Sequence, residues 1–583
     1  MIMQKTLDAY GEFIDNLGAF APSDILDDRD LGEVHGPLST NVELSGDAPV
    51  CIVGVIDHAI PFAHYLLTGA TGHTRIAGVW IMDCPVVRRQ DWIPFGQHLS
   101  GAEIDYLRGL DGGPVTRSDQ ELYRYLGLID PAKRSGRRYM QQYSHGAAVT
   151  GTAAGFDPDD PRGKAHPVIG VCLPDWALAQ TSGAVTPLLI QAATCYIIAE
   201  ARELARHLSD RAGKAVRPTL VVNISLGVTA GARDGSSWVE QMQDALSEDP
   251  PEGLEQVHFV LATGNSRQDR VNAVMRAGQG IGWQILPDDR TISWVEIWSG
   301  LGPGSGQKPL QVRLTQPDGR SVTSSFTQVG HKAQVAVVRD RGREVARLIL
   351  QPWAEGAKGK RQVLSVVVPP SFSTETDASA VPVGQWRVEL VDTPTRDEAC
   401  AVIVQRDDRL PGFPPAGRQT FLADPAYRPF LPDGRWPGPD PVPPTSMIRR
   451  DGTNNAYAWG DWQLRCGAAL GPPGENPTRY SSYSSLLADG SAGDLVATGD
   501  RGDARRGVLA PGMTACALQI INGTSIAAPA LTRWLAATQV QRQAAGQPPL
   551  RTRAEVISAA QARRSGWGPP PRVDPRMPWD IDH

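Results

Sequence analysis

The sequence predicts an α/β fold, a mostly parallel sheet flanked by helices, interrupted by an inserted all-β sandwich. Three observations carry this. Continuous apolar runs ending in Gly, Asp or Asn occur at VCIVGVID (50–57), LVVNISLG (220–227) and HFVLATGN (258–265), the pattern of strands covered on both faces of a parallel sheet. PLLIQAATCYIIAEARELARHL (187–208) and SSWVEQMQDALSE (236–248) separate them with helical spacing and length, and alternation of strand and helix is the mark of an α/β layer. From 290 to 406 the texture changes. TISWVEIWS, PLQVRLTQ, AQVAVVRD, RLILQP, QVLSVVVP, GQWRVELVD and ACAVIVQR follow one another through turns such as PDGR (317–320), with no helix of useful length between them, as in a sandwich or jelly roll.

Taken in order, residues 1–49 form an N-terminal segment whose first twenty residues read as a short amphipathic helix. Residues 50–280 are the first part of the α/β domain. Within it 84–138 reads as an insertion, rich in turn signals, with the basic stretch AKRSGRR (132–138) as a solvated loop or a docking or cleavable one. The β domain occupies 290–406. Eleven prolines between 411 and 444 mark 407–454 as an extended connection rather than an element. The α/β texture resumes over 455–545 and a C-terminal segment, 546–583, follows. The β region is thus expected inside one α/β domain, not appended to it.

Composition removes several classes of function. A length of 583 residues accommodates about two to four domains, and 41% hydrophobic with 21% charged residues suits a globular protein. Lys+Arg 57 against Asp+Glu 63 gives no global attraction for nucleic acid. No run reaches the roughly 18 apolar residues of a membrane span. Lys5, Asp8, Glu12 and Asp15 break any apolar leader. Seven scattered cysteines without a CxxC suit reduced, buried thiols, so a cytoplasmic location is expected. His58 and His64 flank Asp57, yet no HExxH or Cys/His pair marks zinc, and no P-loop or dinucleotide fingerprint is present. No cofactor and no metal are predicted. RGD (501–503) and DPDD (157–160) read as loop and solvated turn.

Three residues stand where chemistry gathers. Asp57 ends a strand, His145 opens the small-residue run SHGAAVTGTAAG (144–155), and Ser525 lies in NGTSIAAPA (522–530) at a helix start. Alone, each has an ordinary structural role: Asp and Ser cap helices. Together they are what a serine nucleophile requires, a base to take its proton and a carboxylate to fix the imidazole.

These segments resemble the subtilisin-like serine proteases, the subtilases. GTSIAAP (523–529) is similar to the family's GTSMAxP with Ile526 for Met, and HGAAVTG (145–151) to HGTxVAG with Ala147 and Thr150 as departures. VGVID (53–57) is similar to the aspartate strand, where His58-Ala59 replaces the usual Thr/Ser-Gly. The order Asp, His, Ser is that of the family. The resemblance covers roughly 50–83, 139–270 and 455–545, and implies a subtilisin-like sheet with a jelly-roll-like insertion. It implies Asp57, His145 and Ser525 as catalytic triad and Asn265 as oxyanion donor. It also implies a substrate cleft walled by Ser225, Leu226 and Gly227 and by Ala262, Thr263 and Gly264. SSYSS (481–485) with VLAPG (508–512), or DLVATGD (494–500), each fit the family's approach to the serine.

The expected function is a serine endopeptidase, intracellular and regulated, acting on a protein or peptide substrate. A regulatory protein partner is expected through the β domain or the 84–138 insertion, with neither nucleic acid nor membrane as partner. The alternative is an inactive pseudoprotease serving as a scaffold. A lipase on an α/β-hydrolase fold is disfavoured, because GxSxG and the order Ser, acid, His are missing.

Overall fold

A computed structural model of the chain describes residues 48–561 except 86–92, 114, 133–137, 179–185, 301–307, 330–331, 354–360, 374–379, 396–397, 408–416, 438–439, 472–476, 483–493, 503–505 and 516. The N-terminal helix expected over the first twenty residues lies outside the described residues, as do most of AKRSGRR and the end of the C-terminal segment.

The apolar runs form the centre of one sheet. Its first six strands in the chain are β1 (Cys51–Asp57), β2 (Ile76–Ile81), β3 (Gln97–Ser100), β4 (Val168–Cys172), β5 (Thr219–Ile224) and β6 (Gln256–Ala262). Across the sheet the order is Asp494–Asp500, Leu464–Leu470, β6, β5, β1, β4, β2, β3. Pairing is parallel throughout except where β3 runs antiparallel to β2 at the edge. Alternate residues of β1 point to opposite faces. Ile52 and Ile56 join the core beneath helices Thr186–Ala212 and Trp238–Glu248. Cys51, Val53 and Val55 join the core beneath helices His145–Ala154 and Thr524–Ala544. These last two helices pack against each other, and the small residues of both allow it. A Cβ on Gly151 would lie 2.3 Å from Pro511, so that helix also presses on the Val508–Pro511 strand.

The chain leaves the sheet after β6 and returns as Leu464–Leu470, which pairs directly with β6 (Leu464↔Val260, Cys466↔Ala262). Between these neighbours lie two antiparallel sheets of five and six strands. All seven runs singled out from the sequence are strands of these sheets. Four further strands belong to them: Asn272–Met275, Gly280–Ile285, Ser321–Thr323 and Phe421–Ala423. The antiparallel region therefore starts before 290, and Phe421–Ala423 makes an edge strand inside the stretch expected to be pure connection. The Gly-rich GQGIGWQI and the three-residue FLA carry too little alternation to be read alone.

The facing sheets enclose an apolar core that includes Trp283, Trp386, Ile297, Leu350 and Val366. Both indoles are fully enclosed, and each finds an acceptor: Trp283 Nε1 donates to Thr420 Oγ1 (3.0 Å) and Trp386 Nε1 to the Pro382 carbonyl (2.9 Å). The 84–138 stretch is more regular than its turn signals suggest. Helices Gly101–Leu107 and Asp119–Tyr125 each start with a capping box, Ser100 with Glu103 and Ser118 with Glu121, which satisfies two otherwise unpaired N–H groups at each helix start. Tyr123 anchors the second helix in the main core, where its ring meets Phe62 edge-on and its hydroxyl accepts from the Ala63 N–H.

Trp386→Ala removes the largest kind of enclosed side chain from the sandwich and orphans no partner charge. It is expected to cost about 3–5 kcal/mol, read as a lower denaturant midpoint for the unfolding transition followed by circular dichroism.

Candidate active site

Register decides which residues meet. β1 and β5 pair through Ile56↔Ile224, and β5 and β6 through Ile224↔Leu261, so Asp57, Ser225 and Ala262 emerge side by side at the carboxyl ends of three adjacent strands. This is where an open α/β sheet gathers functional groups.

Asp57 has no solvent exposure. Its Oδ1 accepts the His58 backbone N–H (2.8 Å), and both carboxylate oxygens lie 2.9 Å from His145 Nδ1. The His58 ring adds a contact, Nδ1 to Oδ1 at 3.2 Å. Burial pushes the carboxyl upward, but the neighbouring charge and hydrogen bonds of His145, joined by those of His58, outweigh it and hold Asp57 well below the usual carboxylate range. The carboxylate is therefore ionised at neutral pH and a hydrogen-bond acceptor only.

His145 begins its helix and is partly exposed. Ser144 caps that helix through the Ala147 N–H (2.8 Å), while its hydroxyl donates to the Ala59 carbonyl (2.9 Å). One side chain thus starts the helix and staples it to the loop after Asp57. A Cβ on Gly146 would stand 1.8 Å from the His58 carbonyl oxygen, so only glycine lets the helix approach the aspartate this closely. Ala59 has φ +45°. This is the left-handed conformation that glycine adopts without penalty, so the loop keeps that conformation at a cost of roughly 1–2 kcal/mol where the resemblance expected a glycine.

Ser525 lies in the first turn of helix Thr524–Ala544, capped by Gly523 at φ +134°. Its hydroxyl donates to the Ser225 carbonyl (3.3 Å), and the Ser225 hydroxyl donates to the Ser525 carbonyl (3.1 Å). Asn223 Nδ2 supports the Ser225 hydroxyl (3.0 Å), and Thr532 Oγ1 bonds Asn223 Oδ1 (3.2 Å). The serine helix is therefore fastened to β5 by a polar chain. Asn265 is held beside it. Its Oδ1 accepts from the Thr524 N–H (2.9 Å) and hydroxyl (3.1 Å), and Nδ2 lies against Gly523, where a Cβ would meet it at 3.1 Å. Gly264, at φ +103°, turns the strand end and donates its N–H to Thr524 Oγ1 (3.1 Å). Thr524 thus orients Asn265, a role its place in the motif does not announce.

Two residues that hold these strand ends carry no signal in the sequence. Asn455 follows the β region by 32 residues from Ala423 and returns to bridge the segments 225–227 and 262–264. Its Nδ2 donates to the carbonyls of Leu226 (2.9 Å) and Ala262 (3.2 Å), its N–H to Thr263 O (2.7 Å), and its Oδ1 accepts from Tyr457 N (3.1 Å). A Cβ on Gly227 would lie 2.3 Å from this amide, so the glycine makes room for the strut. Arg406, just past the strand Cys400–Val404, donates to the Gly227 carbonyl (3.3 Å), which brings a side chain of the β region onto the end of the β5 segment.

Both segments that fit the approach to the serine border it. Gly523 N–H donates to the Gly499 carbonyl (3.1 Å), and Val508–Pro511 pairs with Leu518–Ile521 immediately before the serine turn. Of SSYSS, Ser481 and Ser482 are described, and Ser482 donates its N–H to Gly264 O (2.9 Å), while 483–485 lie outside the described residues.

A mostly parallel sheet that gathers a buried carboxylate, an imidazole and a helix-start serine at the carboxyl ends of its central strands is an architecture used by serine hydrolases. The sequence profile of the subtilase family, peptidase family S8, matches residues 50–568, and the chain belongs to that family of serine peptidases. The solved structure of the Clostridium perfringens CspB protease is similar over 92% of this chain and 93% of that one, at 16% identity and a TM-score of 0.58, a likeness of fold. The PatG macrocyclase domain aligns over 89% of this chain and 83% of its own, at 13% identity and a TM-score of 0.30. No curated protein matches the sequence.

Gly146→Ala is expected to push the histidine helix off the His58 carbonyl, with a loss of about 1–3 kcal/mol typical of overpacking. Thermal unfolding measures it, and Ala147→Gly in the same turn serves as a control for helix propensity alone.

Proposed function

We propose that the protein is a serine endopeptidase. The observation that carries this reading is the buried, ionised Asp57 facing His145 Nδ1 with both oxygens at 2.9 Å, with a helix-start serine whose hydroxyl reaches the Ser225 carbonyl (3.3 Å) at the end of the neighbouring strand. Asp57 fixes the imidazole with its proton on Nδ1, which leaves the Nε2 lone pair as the general base. The Ser525 hydroxyl turns from the Ser225 carbonyl to attack the scissile carbonyl carbon, and its proton passes to His145 Nε2. The oxygen that becomes negative is received by Asn265 Nδ2 and the Ser525 N–H, with the helix dipole in support. His145 then gives its proton to the departing amine, and the acyl-enzyme is opened by water through the same steps reversed.

The substrate chain lies extended along Ser225–Gly227 in a strand-addition mode, with Ala262–Gly264 as the opposite wall. Arg406 competes for the Gly227 carbonyl, which supports regulation through the β domain: a partner that draws this region away frees one wall of the cleft. No described helix is long and apolar enough to cross a membrane. Cys51, Cys84, Cys172 and Cys400 are buried thiols, and burial raises their pKa, which suits a reducing, cytoplasmic setting. One observation favours the second reading, a scaffold without activity: the serine hydroxyl is engaged by the Ser225 carbonyl in this structure.

Labelling with a fluorophosphonate probe separates the two. Ser525 is expected to carry the adduct and Ser525→Ala to lose it; no adduct on the folded chain, even after limited proteolysis, contradicts the protease reading. Asn265→Ala is expected to lower kcat by about 100–1,000-fold with little change in KM. Because Asp57 stays ionised below the usual carboxylate range, the acid limb of kcat/KM is expected to follow one ionisation, with no second proton uptake near pH 4. A limb steeper than one proton in that region contradicts the assignment.

A further inference from the structure

His58 is not used by this chemistry, yet it stands inside it. Its ring lies nearly parallel to that of His145, at 11° with centroids 5.8 Å apart, and both Nδ1 atoms approach the same carboxylate, at 3.2 Å and 2.9 Å. One donor atom from each of Asp57, His58 and His145 falls within 4.8 Å of the others. We propose that these three residues form a binding site for one divalent transition-metal ion of the zinc class, and that its occupancy switches the peptidase off. The switching half of this inference rests on the proposed roles of Asp57 and His145; the binding half does not.

Three arguments support the site. Two imidazole nitrogens and a carboxylate are the borderline donor set that zinc takes, at about 2.0–2.2 Å. Donors around a tetrahedral ion at that radius stand roughly 3.3 Å apart, and the two Asp57 contacts lie within a few tenths of an ångström of this. Access is one-sided: the side chain of Asp57 is 0% exposed and that of His58 7%, whereas that of His145 is 26% exposed. The ion therefore enters at His145, and the fourth ligand position faces the cleft.

The mode of inhibition follows from proton placement. A nitrogen that ligates a metal offers its lone pair. When His145 Nδ1 does so, the ring proton moves to Nε2, and the atom that must accept the serine proton already carries one. His58 likewise ligates as a neutral ring with its proton on Nε2. The bonds formed are three metal–ligand bonds; those lost are the Nδ1–H contacts to Asp57, with no change in oxidation state. The second described grouping of possible ligands, His73, Asp105 and Asp111, includes no residue of the proposed proton relay, and its Asp111 is exposed to solvent.

The test uses the full chain. Calorimetry with zinc chloride on Ser525→Ala is expected to show one ion per chain. Adding His58→Gln, or His58→Thr should the first not fold by circular dichroism, is expected to weaken binding at least about tenfold, the scale on which metal sites respond to lost support. Zinc-edge anomalous scattering from Ser525→Ala crystals is expected to place the ion between the Nδ1 atoms of His58 and His145, without any change at His58. On the wild-type chain, zinc is expected to suppress fluorophosphonate labelling of Ser525 and EDTA to restore it, with at least tenfold more zinc needed in the His58 variant. Zinc affinity indifferent to His58, or an ion located elsewhere, overturns the proposal while leaving labelling of Ser525 intact. His58-dependent binding on a chain that is never labelled would sink the protease reading and the switch, and keep the site.

Discussion

The charge on Asp57 is the interaction on which the rest depends. A carboxylate withdrawn wholly from water is costly unless charge and hydrogen bonds replace its hydration. Here the replacement comes from three directions: the His58 N–H at 2.8 Å, the His58 ring at 3.2 Å and His145 Nδ1 at 2.9 Å. Each must be brought by a different piece of covalent or packing geometry. The sheet register delivers Asp57, the left-handed turn at Ala59 folds His58 back over it, and the Ser144 staple with Gly146 lets the histidine helix come close. Removing any one leaves a buried charge short of a partner, so the local strain at Ala59 is offset by the electrostatics it permits.

The serine side of the site is built on a separate principle, that of polar fastening rather than charge. Ser525, Ser225, Asn223 and Thr532 form one hydrogen-bonded series that locks the helix to β5, and Thr524 locks Asn265. Two glycines of the site leave space that neighbouring amides fill, Asn455 at Gly227 and Asn265 at Gly523. The β region departs from the end of one wall and returns to the strand beside it. It therefore has direct leverage on the gap between β5 and β6, and Asn455 and Arg406 are where that leverage touches the cleft.

Much of this was legible in the residues. Strands buried on both faces announce themselves as unbroken apolar runs, and β1, β5 and β6 were each found at the expected place. The positions of Asp57, His145, Ser525 and Asn265 follow from motifs in which spacing carries the geometry: GTSIAAP puts a glycine turn, a serine and a helix start in sequence. The seven alternating runs of the β region fold as strands for the same reason. What escaped were features with no local signature. Asn455 is the second of two adjacent asparagines, far along the chain from the carbonyls it bridges, and only the fold brings them together. His58 looked like a departure that weakened a motif, because nothing in the sequence says that its ring will turn back onto the preceding aspartate. Gly280–Ile285 and Phe421–Ala423 are too short or too glycine-rich to show alternation, and become strands because neighbours supply the pairing.

The central claim is that Asp57 fixes the proton of His145 on Nδ1, and histidine nitrogen NMR on the 15N-labelled chain tests it most directly. At a pH where the imidazole is neutral, and with EDTA present, His145 is expected to show a protonated Nδ1 and an unprotonated Nε2, and Asp57→Asn to abolish that preference. A His145 that carries its proton on Nε2 in the wild-type chain would contradict the account, because the ring would then have no lone pair to offer Ser525.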